Sequence, residues 1–185
     1  MFLNQPTIYW IAQLVGVGSL ISYIVAFQVK NNTRLYLAQT VGGFIMAIHL
    51  FLLGAISGVA LQFVSMGEFL LLFLAKKYPK LKNKIFLVLF IAGHIAITVI
   101  YWDGLLAGLA FVASFVTMLA MWSNNARLIR VANLFVILPV WLVYNFLIRS
   151  IPGVAMEIIS MISVIVSIVR FGWKNLGDPN SEFQN

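Results

Sequence analysis

The chain has no cysteine, so disulfides and thiolate metal sites are excluded. It has two histidines, His49 and His94, far apart and with no cluster of other ligand types beside them, so no metal site is expected. Neither an H-E-x-x-H nor a G-x-S-x-G arrangement occurs, and the two acids inside the apolar runs, Glu68 and Glu157, lack an identifiable nucleophile. An enzyme is therefore not expected, and neither is a cofactor. Charge is scarce as well. Charged residues make up 9% of the chain, against roughly 25% in a soluble domain. Too little polar surface remains to cover a water-soluble globule.

What is abundant is apolar sequence, 62% of the residues, in runs long enough to cross a bilayer. The reading is an all-α membrane protein with seven transmembrane helices, at 8–27, 35–53, 55–75, 85–102, 105–122, 128–148 and 151–171. Helices are preferred to barrel strands because the runs are continuously apolar rather than alternating. The first run lacks a basic n-region and a small-residue cleavage site, so no signal peptide is expected. Pro139 falls inside the sixth helix and is a candidate hinge. The stretches "GAISG" (54–58) and "GLLAG" (104–108) have the small-xxx-small spacing of close helix packing.

The net charge of +7 sits almost wholly in the connections, which argues for topology rather than a nucleic-acid partner. Lys30, Arg34, Lys76, Lys77, Lys80, Lys82, Lys84, Arg127, Arg130, Arg170 and Lys174 fall on one side of the seven-span arrangement, and Arg149 alone on the other. The positive-inside rule then puts the N-terminus outside and the C-terminus in the cytoplasm. The five lysines of 76–84 also suit anionic lipid headgroups.

The chain repeats itself. "HLFLLGAISGVAL" (49–61) returns as "YNFLIRSIPGVAM" (144–156) with six of thirteen positions identical, and "NNTRL" (31–35) returns as "NNARL" (124–128). Two three-helix units with the same orientation follow, 1–75 and 105–173, joined by a basic loop and linker helix over 76–104. The tail 174–185 lacks periodicity and is expected to be disordered.

Three helices, a linker helix and three more in parallel resemble the SWEET and PQ-loop transporters. Over nearly the whole chain, "YWIAQLVGVGSL" (9–20), "IHLFLLGAISG" (48–58) and "WLVYNFLIRSIPGVAMEIISMISVIVSIVRF" (141–171) resemble the YgjV family of bacterial inner-membrane proteins. That resemblance implies the bacterial inner membrane and no particular chemistry. There is no Pro-Gln dipeptide, and the sugar-gripping asparagines of SWEETs have no clear counterpart.

Polar groups inside spans tend to face the bundle interior. Gly153, Glu157, Ser160, Ser163 and Ser167 fall on one arc of the seventh helix, and Gly58, Gln62, Ser65 and Glu68 on the equivalent arc of the third. Gln13, Gln39, Asn133 and Asn145 add amides in the first, second and sixth helices. The candidate solute-binding set is Glu157, Glu68, Gln62, Ser65, Ser160, Ser163, Gln39, Asn133 and Asn145. Glu157, Glu68 and His49 are the proton-coupling candidates, since an unperturbed imidazole titrates at about 6.5. Interhelical hydrogen bonding is the plain alternative for each. His94, in the linker helix, reads as structural. The expected function is transport of a small polar solute by alternating access, with a non-transporting membrane scaffold as the alternative. The expected partners are the lipid bilayer and that solute, with homo-oligomerisation left open.

Overall fold

The apolar runs form seven helical segments and no strand among the residues that the computed structural model describes, 6–27, 32–123 and 125–171. These are α1 (Thr7–Phe27), α2 (Asn32–Leu52), α3 (Ile56–Ala75), α4 (Lys84–Ile100), α5 (Leu105–Ser123), a sixth span made of α6 (Ala126–Ala132), a π turn (Asn133–Ile137) and α7 (Leu138–Leu147), and α8 (Ile151–Phe171). Three stretches, Ile56–Ala75, Leu105–Ser123 and Arg127–Leu147, are long and apolar enough to cross a membrane. In the other four helices the apolar described stretch is shorter. The expected disordered tail, 174–185, lies outside the described residues.

Side-chain distribution is that of a protein solvated by lipid. Large apolar residues are exposed on every span, among them Leu14, Phe44, Phe63, Val99, Val112, Phe135 and Ile162. The interior instead holds alanines, serines and amides, such as Ala12, Ala107, Ala110, Ala113, Ser19 and Ser114. Small residues let helix backbones approach where no hydrophobic force drives them together.

The packing order closes on itself. α1 lies on α2, α2 on α3, α3 on α5, α5 on α7, α7 on α8, and α8 back on α1. α4 packs against α3 and α5. The α2–α3 and α7–α8 hairpins, with the start of α1, gather at one end of this ring, called here the hairpin end.

The two hairpins fold identically at equivalent residues. Gly54 N–H bonds Phe51 C=O at 2.9 Å and Ala55 N–H bonds Leu50 C=O at 3.0 Å. Ninety-five residues on, Arg149 N–H bonds Phe146 C=O at 3.1 Å and Ser150 N–H bonds Asn145 C=O at 2.8 Å. Both are Schellman motifs, which need a left-handed residue after the helix. Gly54 supplies it at φ 75° and Arg149 at φ 59°. No atom crowds a Cβ at Gly54, so a substitution there bears only the conformational cost. Gly54→Val should lower stability by about 1–2 kcal/mol, whereas Arg149→Gly should lose less than about half of that, because it relieves the same strain. Thermal unfolding in detergent checks this, and equal losses would refute the account.

At Pro139 the sixth helix is not plain α-helix: a π turn stands just before the proline, with Leu138 N–H bonding back to Asn133 C=O. "GLLAG" also departs from expectation. Gly104 is a left-handed turn residue at φ 82°, and neither it nor Gly108 has an atom within 4 Å of a built Cβ. The close approaches lie at Gly16, Gly43, Gly58 and Gly153. At the far end, Asn83 caps α4 by accepting from Ile85 N–H at 2.9 Å. In the same basic connection, partial burial and the Lys76 charge hold the Lys82 ammonium below the usual lysine range.

Candidate functional site

Spacing alone puts polar residues on the inner arcs of α3 and α8; packing decides what each of them meets. The hairpin end is a hydrogen-bonded layer. His49 is fully buried on α2. Its Nδ1 lies 2.6 Å from Ala12 C=O and its Nε2 2.6 Å from Ser150 Oγ. A carbonyl can only accept, so Nδ1–H donates to it. On a neutral ring, Nε2 then accepts from the Ser150 hydroxyl. Ser150 Oγ in turn accepts from Gly153 N–H at 3.1 Å. From α1, Tyr9 O–H and Gln13 Nε2 donate to Arg149 C=O at 3.1 and 3.2 Å. Gln13 Oε1 accepts from Ile151 N–H at 3.0 Å. Three segments distant in sequence are thus tied at one corner.

Gly16 makes this corner possible. A Cβ there would overlap Pro152 Cγ and stand 2.8 Å from His49 Nδ1. His49 meets no carboxylate in these bonds; its partners are a serine hydroxyl and a backbone carbonyl.

The opposite corner is built from the repeat-equivalent residue. Tyr144 stands where His49 stands in the first unit, 95 positions earlier, and it too is fully buried. Its hydroxyl presses against Gly58 at the start of α3. Its ring meets Trp141 edge-on, with centroids 5.1 Å apart. Beside it Ser57 O–H donates to Asp103 Oδ2 at 2.8 Å, tying α3 to the α4–α5 connection. So α2 sends His49 to the start of α8, and α7 sends Tyr144 to the start of α3.

Below the layer the candidates separate. Glu157 and Asn145 are buried together, Asn145 Nδ2 donating to Glu157 Oε1 at a long 3.5 Å. Asn145 Oδ1 abuts Gly153 and has no hydrogen-bond partner. Gln62 lies over Gly43 of α2, where a Cβ would come within 2.7 Å of its Nε2. Ser65 and Ser160 are buried. Glu68 is fully buried, and neither of its carboxyl oxygens has a hydrogen-bond partner among the described residues. By helix rise Glu157 stands about 9 Å, and Glu68 about 18 Å, from the hairpin end.

Other candidates are not brought into this group. Ser163 is exposed on α8 beside exposed Ile162. Asn133 is half-buried at the π turn, and its Nδ2 is spent on Ile129 C=O of its own span at 2.8 Å. The side chains of Gln39 and Ser167 lie outside the described residues. His94 is fully buried, bonds Phe90 C=O of its own helix through Nδ1 at 2.9 Å and meets Phe115 of α5 edge-on, while its Nε2 has no partner among the described residues. Sequence reasoning passed over Tyr9, Gly16, Ser57, Asp103 and Ser150. The repeat offers a signal for Ser150, since it and Ala55 hold equivalent places in the two hairpins. No cluster of metal-ligating side chains occurs among the described residues.

No curated protein matches this chain, and no solved structure does. A family model does. The hairpins and inner arcs described above all lie within residues 10–175, the stretch matched by the model of the Imp-YgjV bacterial inner membrane proteins, and the chain belongs to that family.

Proposed function

We propose that this inner-membrane protein is a multi-pass carrier of a small polar solute. It has two parallel three-helix repeats, its N-terminus outside and its C-terminus in the cytoplasm, and it works by alternating access between the repeats. The carrying observation is the reciprocal seam at the hairpin end. Exchange of the first unit (α1, α2, α3) with the second (α5, α6–α7, α8) maps the packing order onto itself: α3 on α5 becomes α8 on α1. Under the same exchange, His49 against Ser150 becomes Tyr144 against the start of α3. Alternating access needs two halves that close against each other at one end and can part there. Gln62, Ser65 and Glu68 of α3 and Glu157 and Ser160 of α8 are buried beneath that seam.

The chain lacks cysteine, so introduced pairs act alone. Gln13 of α1 bonds the Arg149 carbonyl and the Ile151 N–H across the seam. Gln13→Cys combined with Ile151→Cys, bridged in proteoliposomes by a short bis-methanethiosulfonate cross-linker, should stop solute flux at least tenfold, and reduction should restore it. Undiminished flux in the bridged form would show that this end does not open. A well-folded protein with no flux for solutes of any charge class would leave the scaffold reading.

The orientation has its own test. Single cysteines at Asn4 and Lys80, probed with an impermeant thiol reagent in intact cells, should label at Asn4 and stay unlabelled at Lys80. The reverse pattern would sink the topology.

A further inference from the structure

The buried polar groups differ in how far they are satisfied. At the hairpin end most are taken up by one another: His49 by Ala12 and Ser150, Gln13 by Arg149 and Ile151, Ser57 by Asp103, while the Tyr144 hydroxyl and Asn145 Oδ1 each lack a partner among the described residues. Glu157 has the Asn145 amide. Glu68 is the ionisable carboxyl left with nothing. It is fully buried in α3, about 12 Å by helix rise from Lys76 at the end of the helix, and both of its oxygens lack a partner among the described residues. A buried carboxylate left unpaired is among the costliest groups a protein can hold; such a group stays neutral by keeping its proton, or ionises against a cation that brings N–H donors.

We infer that Glu68 is the solute-binding carboxylate of the carrier, and that the solute presents a cationic nitrogen to it. This rests on the transport reading above and assigns its solute class. An ammonium supplies what the site lacks, a positive charge and donors for two acceptor oxygens. Ser65 and Gln62, about one and two turns nearer the hairpin end on the same buried arc, offer further acceptors and donors for the rest of a small molecule. An anionic solute would meet the carboxylate's repulsion, with no basic residue among the described residues of that arc to offset it. Glu157, held by Asn145 beside the second hairpin, belongs to the seam, and the two acids of the repeats therefore have different tasks.

The test uses three probes of one size and different charge: propylammonium, propionamide and propionate, with sodium chloride at equal ionic strength. Purified full-length protein is unfolded thermally in each. Binding to the folded state raises the apparent unfolding temperature, by a few degrees at about ten times the dissociation constant. Propylammonium should stabilise the parent and Thr117→Ala, whose hydroxyl bonds its own helix at Ala113. It should stabilise Glu68→Asp at severalfold higher concentration, and Glu68→Gln not at all. The Asp variant keeps the charge, so the comparison survives if the Gln variant fails to fold. Stabilisation of Glu68→Gln equal to the parent, a response to sodium alone of the same size, or a response to propionamide or propionate instead would overturn the assignment. So would the absence of any shift with propylammonium. None of these results touches the carrier reading, which is decided by flux through the cross-linked seam.

Discussion

Gly16→Val is expected to be the most damaging single substitution at the hairpin end, lowering stability by about 3 kcal/mol or more. The first added carbon alone would overlap Pro152 and stand 2.8–2.9 Å from the His49 ring. Neither neighbour can yield cheaply. Pro152 is fixed in the first turn of α8, and His49 is held at both nitrogens. Moving the ring would break its bonds to the Ala12 carbonyl and the Ser150 hydroxyl, and a buried Nδ1–H left without a partner costs about 1–3 kcal/mol. Gly108→Ala is the matched control. It sits within α5 with nothing near its Cβ, so it should change stability by less than about 1 kcal/mol, in the stabilising direction. Denaturant or thermal unfolding in detergent reads both. If the two variants behave alike, the corner between α1, α2 and α8 is not packed as described.

Glu157→Gln should have the largest effect on energetics of transport, because it removes a protonatable group from the seam while preserving shape. If the carrier couples solute movement to a proton gradient through Glu157, gradient-driven accumulation in proteoliposomes should fall at least tenfold, while exchange across equal concentrations persists. Each protonation state then favours one opening of the bundle, and a group that cannot change state cannot bias the equilibrium. An uncoupled facilitator would keep its passive flux, since a glutamine still meets Asn145. Glu68→Gln should reduce accumulation and exchange together, because it removes the acid that holds the solute. A Glu157→Gln protein equal to its parent in both assays would make that carboxylate structural.

Much of this architecture was legible in the residues. Apolar composition announces lipid as the solvent. The 95-residue echo predicts two equivalent hairpins, and the two Schellman turns share their backbone bonds residue for residue, with Gly54 and Arg149 in the same left-handed position. Helical periodicity puts Gln62, Ser65 and Glu68 on one arc, and all three are buried. These features are local: turn chemistry and helical phase depend on residues a few positions apart, and sequence spacing encodes them directly.

The fate of each polar side chain was not local. Ser163 shares the arc of Ser160, yet it is exposed and Ser160 is buried. Asn133 turns to its own backbone, and Pro139 is accommodated by a π turn rather than a hinge in plain helix. "GLLAG" has the spacing of a packing motif and open space around both glycines, whereas Gly16, four residues after Ala12, is the more crowded of the two α1 glycines. His49 finds a serine 101 residues away rather than an acid. Sequence fixes the phase of a side chain on its helix; only the packing of helices decides whether a neighbour, lipid or nothing stands opposite. That is why the tertiary structure alone separates Glu157, which has a partner, from Glu68, which has none.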